Sequence, residues 1–336
     1  MFPLEGIQYA RDIIGSAPWV FVGCVSFEPR WETFVAAAEA VSLRPNISHF
    51  IFPIDDGSRW HDECLQKQES HWAKSPAKTT WKSTKADLHL FSANPSHSAL
   101  EMLEDVVRRA NVKAIKTLVI DFTTMPRICY LPMISRALQQ SIFETILVVY
   151  TKPGDYRKGP LTSEPVDATV VPTFAPLPSP GKSKVPIGWI PILGFGPCFA
   201  SKITERLTDF DMRDRVYPLI GYPAYQPTFF ERVLMDSARV LLELVKSPDQ
   251  FTYASAVDPY ETREAILRIA SSAAQDIHWI GSPMGSKPMA LGMILAAQER
   301  PITMLIARPR SYHPEYSLGT GEIQVFPIRI AGRLAY

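Results

Sequence analysis

The same succession of strand and helix patterns occurs twice in this chain of 336 residues. In each half, five short apolar runs of strand character alternate with longer segments of helical periodicity. A strand that is followed by a crossover helix and a further strand favours a parallel sheet. The repeat therefore predicts two tandem α/β units rather than one large domain.

The predicted boundaries follow from the apolar runs. The first unit spans residues 1–156 with an insertion at 56–85, a proline-rich linker covers 157–188, and the second unit spans 189–336. The strands are expected at 18–27, 47–54, 86–93, 115–122 and 144–151, and again at 189–196, 215–222, 251–257, 276–283 and 302–309. Each unit is predicted to be Rossmann-like, with a mostly parallel sheet and flanking helices.

Individual residues also agree between the halves. Residues 120–127 align without a gap on residues 280–287, which places Arg127 opposite Lys287. Residues 150–156 match residues 306–312, which places Tyr156 opposite Tyr312. Two unrelated α/β halves could share a similar hydrophobic periodicity by coincidence. The residue matches that follow two equivalent strands favour the alternative, that the halves are diverged copies of one unit.

Two segments lie outside the repeat. The insertion carries Trp60, Trp72 and Trp81, which form either a small satellite core, the interpretation we favour, or a partner surface. The linker contains seven prolines, so we expect it to cross the surface in extended form between the copies.

Composition excludes several classes of protein. A formal net charge of +1 gives no global attraction to duplex nucleic acid or to an anionic membrane. The four cysteines are widely spaced, and the histidines form no H-x-x-x-H pair, so neither a disulfide scaffold nor a metal site is expected. No secretory or membrane-spanning segment is expected either, which predicts a cytoplasmic protein. No G-x-G-x-x-G follows either first strand, and we expect no cofactor.

Chemistry in an open parallel sheet is expected at the carboxyl ends of the strands, where loops lead into helices. In the second unit one such loop holds Ser282, Met284, Gly285, Ser286 and Lys287. Glycine permits a positive φ and a close backbone approach, serine caps a helix or donates to an anion, and lysine adds positive charge. This loop suits a phosphate, although an ordinary capped turn with an exposed lysine has the same residues.

Residues 277–297 resemble the signature of the CRISPR-associated Rossmann-fold (CARF) sensor domains, in which an apolar strand leads into T-G-G-T-K-x-M and a helix. The agreement lies in Gly285, Ser286, Lys287 and Met289, whereas residues 282–284 depart from the Thr-Gly that begins the motif. The resemblance covers residues 189–310, and more weakly 18–156. Within it lie a first-strand loop and a middle-strand loop that carry Gly194, Phe195, Gly196 and Asp258.

This resemblance implies a function. CARF domains work as dimers that bind cyclic oligoadenylates or related signals in one composite pocket, and SAVED sensor domains fuse two such units in one chain. The tandem copies therefore imply a pseudo-dimeric sensor of prokaryotic defence, with a nucleotide second messenger bound between the two units. Because the copies differ, such a sensor can read an asymmetric ligand.

The first unit offers a different set of side chains in the equivalent loops. Its fourth-strand loop carries Asp121, Thr123, Thr124 and Arg127. Arginine holds phosphate bidentately, whereas Asp121 either contacts a ribose hydroxyl, a base edge or a metal, or caps the following turn.

The other candidates lie in the first-strand loop and after the last strands. The candidates Ser26, Phe27, Arg30 and Trp31 follow the first strand, where the aromatic rings either stack on a base or pack in the core. Tyr156, Tyr312 and Tyr316 follow the last strands and either close a pocket or cover the sheet edge.

Three functions remain open at this point. The leading prediction is a nucleotide-binding sensor that passes its signal to a separate effector protein, a nuclease or an NTPase. The second is an enzyme that cleaves its nucleotide without a metal, for which Ser282, Ser286, Lys287 and Arg127 are candidates and Asp121 or Asp258 a possible base. No catalytic residue is identified by spacing. The third is a scaffold subunit that docks onto a larger assembly through the insertion and the linker.

Overall fold

The computed structural model of the protein describes residues 3–54, 60–81, 83–90, 94–179, 185–210, 212, 215–272 and 277–336. The first part of the chain forms α1 (Pro3–Ile14), β1 (Trp19–Cys24), α2 (Trp31–Ala40), β2 (Ile47–Ile54), α3 (His61–Lys74), α4 (Pro76–Thr79), β3 (Thr84–His89), α5 (Pro95–Val112), β4 (Thr117–Asp121), α6 (Arg127–Gln139) and β5 (Thr145–Tyr156).

The second part repeats this alternation. It forms β6 (Pro165–Val170), β7 (Ile187–Ile192), α7 (Pro197–Arg206), β8 (Leu219–Gly221), α8 (Pro227–Leu244), β9 (Thr252–Ala254), α9 (Pro259–Ser272), β10 (His278–Pro283), α10 (Lys287–Ala297), β11 (Ile302–Pro309), β12 (Ser317–Ile330) and β13 (Arg333–Leu334). Ten of the described strands, β1 to β5 and β7 to β11, correspond to the ten predicted ones.

Two separate sheets share one strand order. The first sheet runs β13-β12-β5-β4-β1-β2-β3, and the second runs β6-β11-β10-β7-β8-β9. Within each sheet the five repeated strands are parallel, and one further strand pairs antiparallel with the fifth, β12 with β5 and β6 with β11. The predicted fold class is confirmed: both units are α/β and Rossmann-like, with mostly parallel sheets and flanking helices.

The two antiparallel strands are exchanged between the units. β6 follows β5 in the chain but pairs in the second sheet, while β12 follows β11 but pairs in the first. The compact units are accordingly Met1–Leu161 with Ser311–Tyr336, and Thr162–Arg310. These bounds differ from the predicted 1–156, 157–188 and 189–336. The bounds differ because they depend on which distant strands pair with each other. Local hydrophobic periodicity carries no information about that pairing.

An aromatic core fills one side of the first sheet. The Phe21 ring lies 5.7 Å from that of Phe34, 5.4 Å from that of Phe50 and 5.1 Å from that of Trp81. Trp72 packs on Phe50 at 5.3 Å. The described part of the insertion, 60–81 and 83–85, therefore contributes to the main core of the unit rather than to the satellite core that we favoured; residues 56–59 and 82 lie outside the described residues.

The second unit buries α10 almost completely, since its residues from Pro288 to Ala296 are buried in succession. Such a helix, apolar around its whole circumference, must be covered by neighbours on every side. α9 supplies one of them, because a Cβ placed on Gly292 would lie 2.3 Å from the carbonyl oxygen of Pro259. Within the part of the chain that is described, no helix combines the length and the apolar character needed to cross a bilayer.

The strand exchange makes a prediction about truncation. Removing residues 311–336 strips β12 from β5 and removes the buried side chains Ile323, Phe326 and Ile328. At about 1.5–3 kcal/mol for each side chain, this loss approaches the whole stability of a typical domain. We expect the first unit to lose its cooperative thermal transition in near-ultraviolet circular dichroism. Removing residues 333–336 alone is the control and changes the transition far less; equal melting of both truncated chains would contradict the prediction.

Candidate functional site

The strand order brings the predicted site loops together in each unit. In both sheets the first and fourth repeated strands are neighbours, β1 beside β4 and β7 beside β10. The chain then turns to opposite sides of this pair, which makes it the topological switch point where open α/β sheets bind ligands. Residues 25–30 and 122–127 meet at this point in the first unit, and residues 193–196 and 284–287 meet there in the second.

Two glycines let the loops of the second unit touch. A Cβ on Gly194 would lie 1.9 Å from the carbonyl oxygen of Met284, and one on Gly285 would lie 2.8 Å from that of Leu193. Neither glycine has a positive φ, so close approach is the reason for glycine at both positions. Gly196, with φ of 106°, is the residue of this loop that needs glycine for its conformation.

Ser286 and Lys287 open α10 at this edge of the second sheet. The Ser286 hydroxyl accepts the N–H of Met289 at 3.3 Å and donates to the carbonyl oxygen of Ala256 at 2.6 Å. It is therefore the N-cap of α10, and Lys287, which is half-buried, is the first helical residue. Ser282 lies deeper: it is fully buried, and its hydroxyl accepts the indole N–H of Trp189 at 2.9 Å.

The remaining candidates of the second unit hold its loops in place. Asp258 caps α9, because its Oδ1 accepts the N–H groups of Tyr260 at 2.8 Å and Glu261 at 3.2 Å. The Phe195 ring lies 5.2 Å from the Phe229 ring. The Arg232 guanidinium lies 4.4 Å from the centroid of the Phe195 ring. The N–H of Gly196 donates to the carboxylate of Asp236 on α8, a residue that the sequence analysis missed.

In the first unit, threonine hydroxyl groups connect the loops that glycines bring together in the second unit. Thr124 donates to the carbonyl oxygen of Cys24 at 2.8 Å, which ties the fourth-strand loop to the end of β1. The Thr123 hydroxyl accepts the N–H of Thr151 at 2.8 Å, which ties the same loop to β5. Asp121 caps the turn, since its Oδ1 accepts the N–H of Thr123 at 2.9 Å. The contacts that hold this loop therefore differ from those of the equivalent loop in the second unit.

The first-strand loop of the first unit is largely buried. The Ser26 hydroxyl accepts the N–H of Glu28 at 3.3 Å, and Phe27 is half-buried. Trp31 is 2% exposed, and its ring lies 5.9 Å from that of Phe50, which places it in the core rather than in a stacking position.

Arg30 is buried in an ion pair with Glu28. Its Nη2 lies 2.7 Å from Oε2 of Glu28, its Nε donates to Ser317 at 3.1 Å, and its Nη1 donates to the carbonyl oxygen of Thr151 at 2.9 Å. Ser317 in turn donates to Glu28 at 2.5 Å. Burial lowers the pKa of Arg30, but the Glu28 carboxylate, with smaller contributions from Tyr150 and Tyr156, outweighs this effect, and the pKa lies above the usual value. Arg30 is thus a charged structural anchor between β1, β5 and β12.

Arg127 lies at the same edge of the first sheet, at the start of the helix that follows β4. It is the first residue of α6, as Lys287 is of α10, which agrees with the ungapped alignment. Burial lowers the pKa of Arg127, and attraction to the ionised forms of Tyr130, Tyr316 and Tyr312 outweighs this effect, so the pKa lies above the usual value for arginine. Burial also raises the pKa of Tyr130 to about 12 and that of Tyr316 to about 12. The phenols are therefore neutral at physiological pH, while the guanidinium is charged.

The structure therefore divides the candidates into two groups. Arg127, Tyr312, Lys287 and the loop glycines are half-buried, while Arg30, Ser282, Asp121, Thr123, Ser286 and Asp258 have buried or capping contacts within the fold. The sequence analysis did not identify Glu28 as a structural residue, because its partner Ser317 lies in a strand far away in the sequence. The one sequence feature that pointed to an ion pair was a carboxylate two residues from Arg30. Across the residues described, no group of three or more His, Cys, Asp or Glu side chains could hold a metal ion.

A cavity of about 670 Å³ lies at the opposite end of the second sheet. Its lining includes Leu207, which follows α7, and Leu244, which ends α8. Val216, which precedes β8, also lines it. It also contains the carboxylates of Glu205, Asp209 and Glu243. None of the predicted site residues lines it.

Comparisons with known proteins identify no family for this chain. No family model and no curated protein matches it. Among solved structures, a functionally unknown protein from Pseudomonas aeruginosa matches with 9% identity and a TM-score of 0.23, over 87% of this chain and 92% of its own. A putative universal stress protein from the same species matches with 9% identity and a TM-score of 0.23, over 88% of this chain and 94% of its own.

The glycine contact in the second unit can be tested by substitution. Gly194→Ala places a methyl group against the backbone of Met284, which cannot move aside as a side chain can. We expect a loss of about 1–3 kcal/mol in the free energy of unfolding, measured by urea denaturation. Gly15→Asn is the control, because φ there is 59° and nothing lies within 4 Å. A Gly194→Ala protein as stable as the control would contradict the close approach of the two loops.

The buried ion pair makes a second prediction. Glu28→Leu leaves the Arg30 charge buried without its carboxylate, which typically costs about 3–5 kcal/mol. The double variant Glu28→Leu/Arg30→Leu removes both charges, and we expect it to recover a large part of that loss in urea denaturation. A double variant less stable than the single one would show that Arg30 acts mainly through Ser317 and Thr151 instead.

Proposed function

We propose that this protein is a nucleotide-binding sensor or regulatory subunit of a prokaryotic defence system. Its ligand is a phosphate-bearing nucleotide that binds at the switch-point edges of the sheets. The observation that carries the proposal is the matched position of Arg127 and Lys287, each the first residue of the helix that follows the fourth strand. Each of these helices starts beside the loop that follows the first strand.

The chemistry of these two positions supports phosphate as the recognised group. A helix N-terminus carries a partial positive charge, which attracts anions. Arg127 and Lys287 add a full positive charge at that point in each unit. The protein as a whole has a formal net charge of only +1, so the attraction is local to these edges. This favours a small anionic ligand over a long nucleic acid.

The resemblance to CARF domains supports a cyclic oligonucleotide as the ligand class. Duplicated units with equivalent phosphate positions suit a ligand that carries several phosphates. Both compact units of the described chain are Rossmann-like, so the proposal assigns the output to a separate effector protein, a nuclease or an NTPase. Ligand binding then acts by favouring one conformation of the sensor.

Calorimetry against cyclic di-, tri- and tetranucleotides tests this proposal directly. We expect at least one of them to bind, and Lys287→Ala and Arg127→Gln each to weaken that binding by about 1.5–3 kcal/mol, the scale of a charged hydrogen bond. Lys113→Ala is the control, because Lys113 is exposed beyond the end of α5. Folded wild-type protein that binds none of these ligands would overturn the proposal.

Neither of the other two functions is favoured by a specific observation. For ligand cleavage, Ser282 accepts from Trp189, and Asp121 and Asp258 cap turns in their own loops. For a scaffold that docks through the insertion, Trp72 and Trp81 pack in the core of the first unit.

A further inference from the structure

The cavity at the opposite end of the second sheet has an apolar floor. Leu207 and Val216 are at most 1% exposed and belong to the core of the second unit. Phe210, Met212 and Leu244 are half-buried, pack against that core and also line the cavity. The volume of about 670 Å³ lies within the range of small-molecule sites, roughly 300–1,000 Å³. The floor therefore offers apolar contact to a ligand of that size.

Acidic side chains surround this floor. Glu205 lies in the last turn of α7, Asp209 follows that helix, and Glu243 lies in the last turn of α8. All three residues are exposed. Among the described residues that line the cavity, these three are acidic and Lys246 is basic. Lys202, which is not in the lining, lies 2.8 Å from Glu205. The rim of the cavity is therefore negatively charged.

Two helices also end at this cavity. α7 ends at Arg206 and α8 ends at Leu244, and residues from the last turn of each helix line the cavity. A helix C-terminus carries a partial negative charge, roughly half an elementary charge, which stabilises a nearby cation. Lys246 shows this effect within the fold, because its Nζ donates to the carbonyl oxygen of Glu243 at 3.3 Å. The helix ends and the carboxylates therefore favour positive charge at the same place.

We propose that this cavity is a second ligand site, which binds an organic ammonium ion with an apolar body. The apolar body contacts the floor formed by Leu207, Val216 and Leu244. The ammonium group lies beside the carboxylates of Asp209 and Glu243, and the same charges repel an anionic ligand. The site is at the opposite end of the sheet from the proposed nucleotide edge, so this inference goes beyond the proposed function and does not depend on it.

The experiment compares three probes of similar shape and different charge: 2-phenylethylamine, 2-phenylethanol and 3-phenylpropanoate. Saturation-transfer NMR titrations on the full chain measure the affinity for each probe. We expect the amine to bind about tenfold more tightly than the alcohol, the scale of one charged hydrogen bond at an exposed rim. We expect the carboxylate to bind more weakly than the alcohol. Added salt is expected to narrow these differences, because it screens exposed charges.

Variants separate the charged rim from the apolar floor. Glu243→Gln and Asp209→Asn keep the size of the side chain, and each is expected to weaken amine binding about three- to tenfold without changing 2-phenylethanol binding. Glu231→Gln is the matched control, because Glu231 is an exposed carboxylate on α8 itself. It precedes Glu243 by twelve residues, or about 18 Å along the helix. Leu244→Gln makes the floor polar and is expected to weaken binding of the amine and the alcohol alike.

Three results would overturn this site. The first is equal affinity of the wild type for the amine and the alcohol. The second is amine binding by Glu243→Gln and Asp209→Asn that matches the Glu231→Gln control; all three substituted carboxylates are exposed, so these variants are expected to fold. The third is a dimer in light scattering that Leu244→Gln converts to a monomer, because a second copy of the chain would then cover the cavity. Amine binding that persists in Lys287→Ala protein supports a site separate from the proposed nucleotide edge.

Discussion

The outer edge of β5 requires a partner strand, and most of the first unit depends on how that requirement is met. An unpaired strand next to a buried sheet leaves a row of backbone N–H and C=O groups without hydrogen bonds. The chain supplies β12, which follows the strands of the second unit in the sequence and pairs antiparallel along β5. α1 then packs on β12 so closely that a Cβ on Gly6 would lie 2.1 Å from the carbonyl oxygen of Ile323. The first helix and a strand near the other end of the chain therefore belong to one folding unit.

The same pairing determines what stands at the carboxyl edge of the first sheet. Ser317, the first residue of β12, completes the buried ion pair of Glu28 and Arg30 and ties the loop after β1 to that strand. The segment that leads into β12 carries Tyr312 and Tyr316, and the Tyr316 ring packs edge to face on Tyr156 at the end of β5. A structural strand thus also delivers side chains to the edge where we propose that the ligand binds.

The two units keep one backbone plan and differ in how it is held. In the second unit, the loops after β7 and β10 approach through Gly194 and Gly285. In the first, the hydroxyls of Thr124 and Thr123 connect the equivalent loop to Cys24 and Thr151. The two glycines have no side chains, whereas the side chains of Thr123 and Thr124 are occupied by their contacts. The two units therefore offer different surroundings to the two equivalent cations.

The amino-acid sequence by itself determined the repeated strands, the switch-point loops and the equivalence of Arg127 with Lys287. These features depend on hydrophobic periodicity and on short-range turn chemistry, both of which can be read from neighbouring residues. The sequence did not determine that Arg30 is an internal ion-pair partner, that Ser282 is buried against Trp189, or that Trp81 belongs to the main core. Nor did it determine which sheet receives β6 and β12. Each of those outcomes depends on a contact between residues far apart in the chain, such as Arg30 with Ser317, and only the tertiary structure decides which distant groups meet.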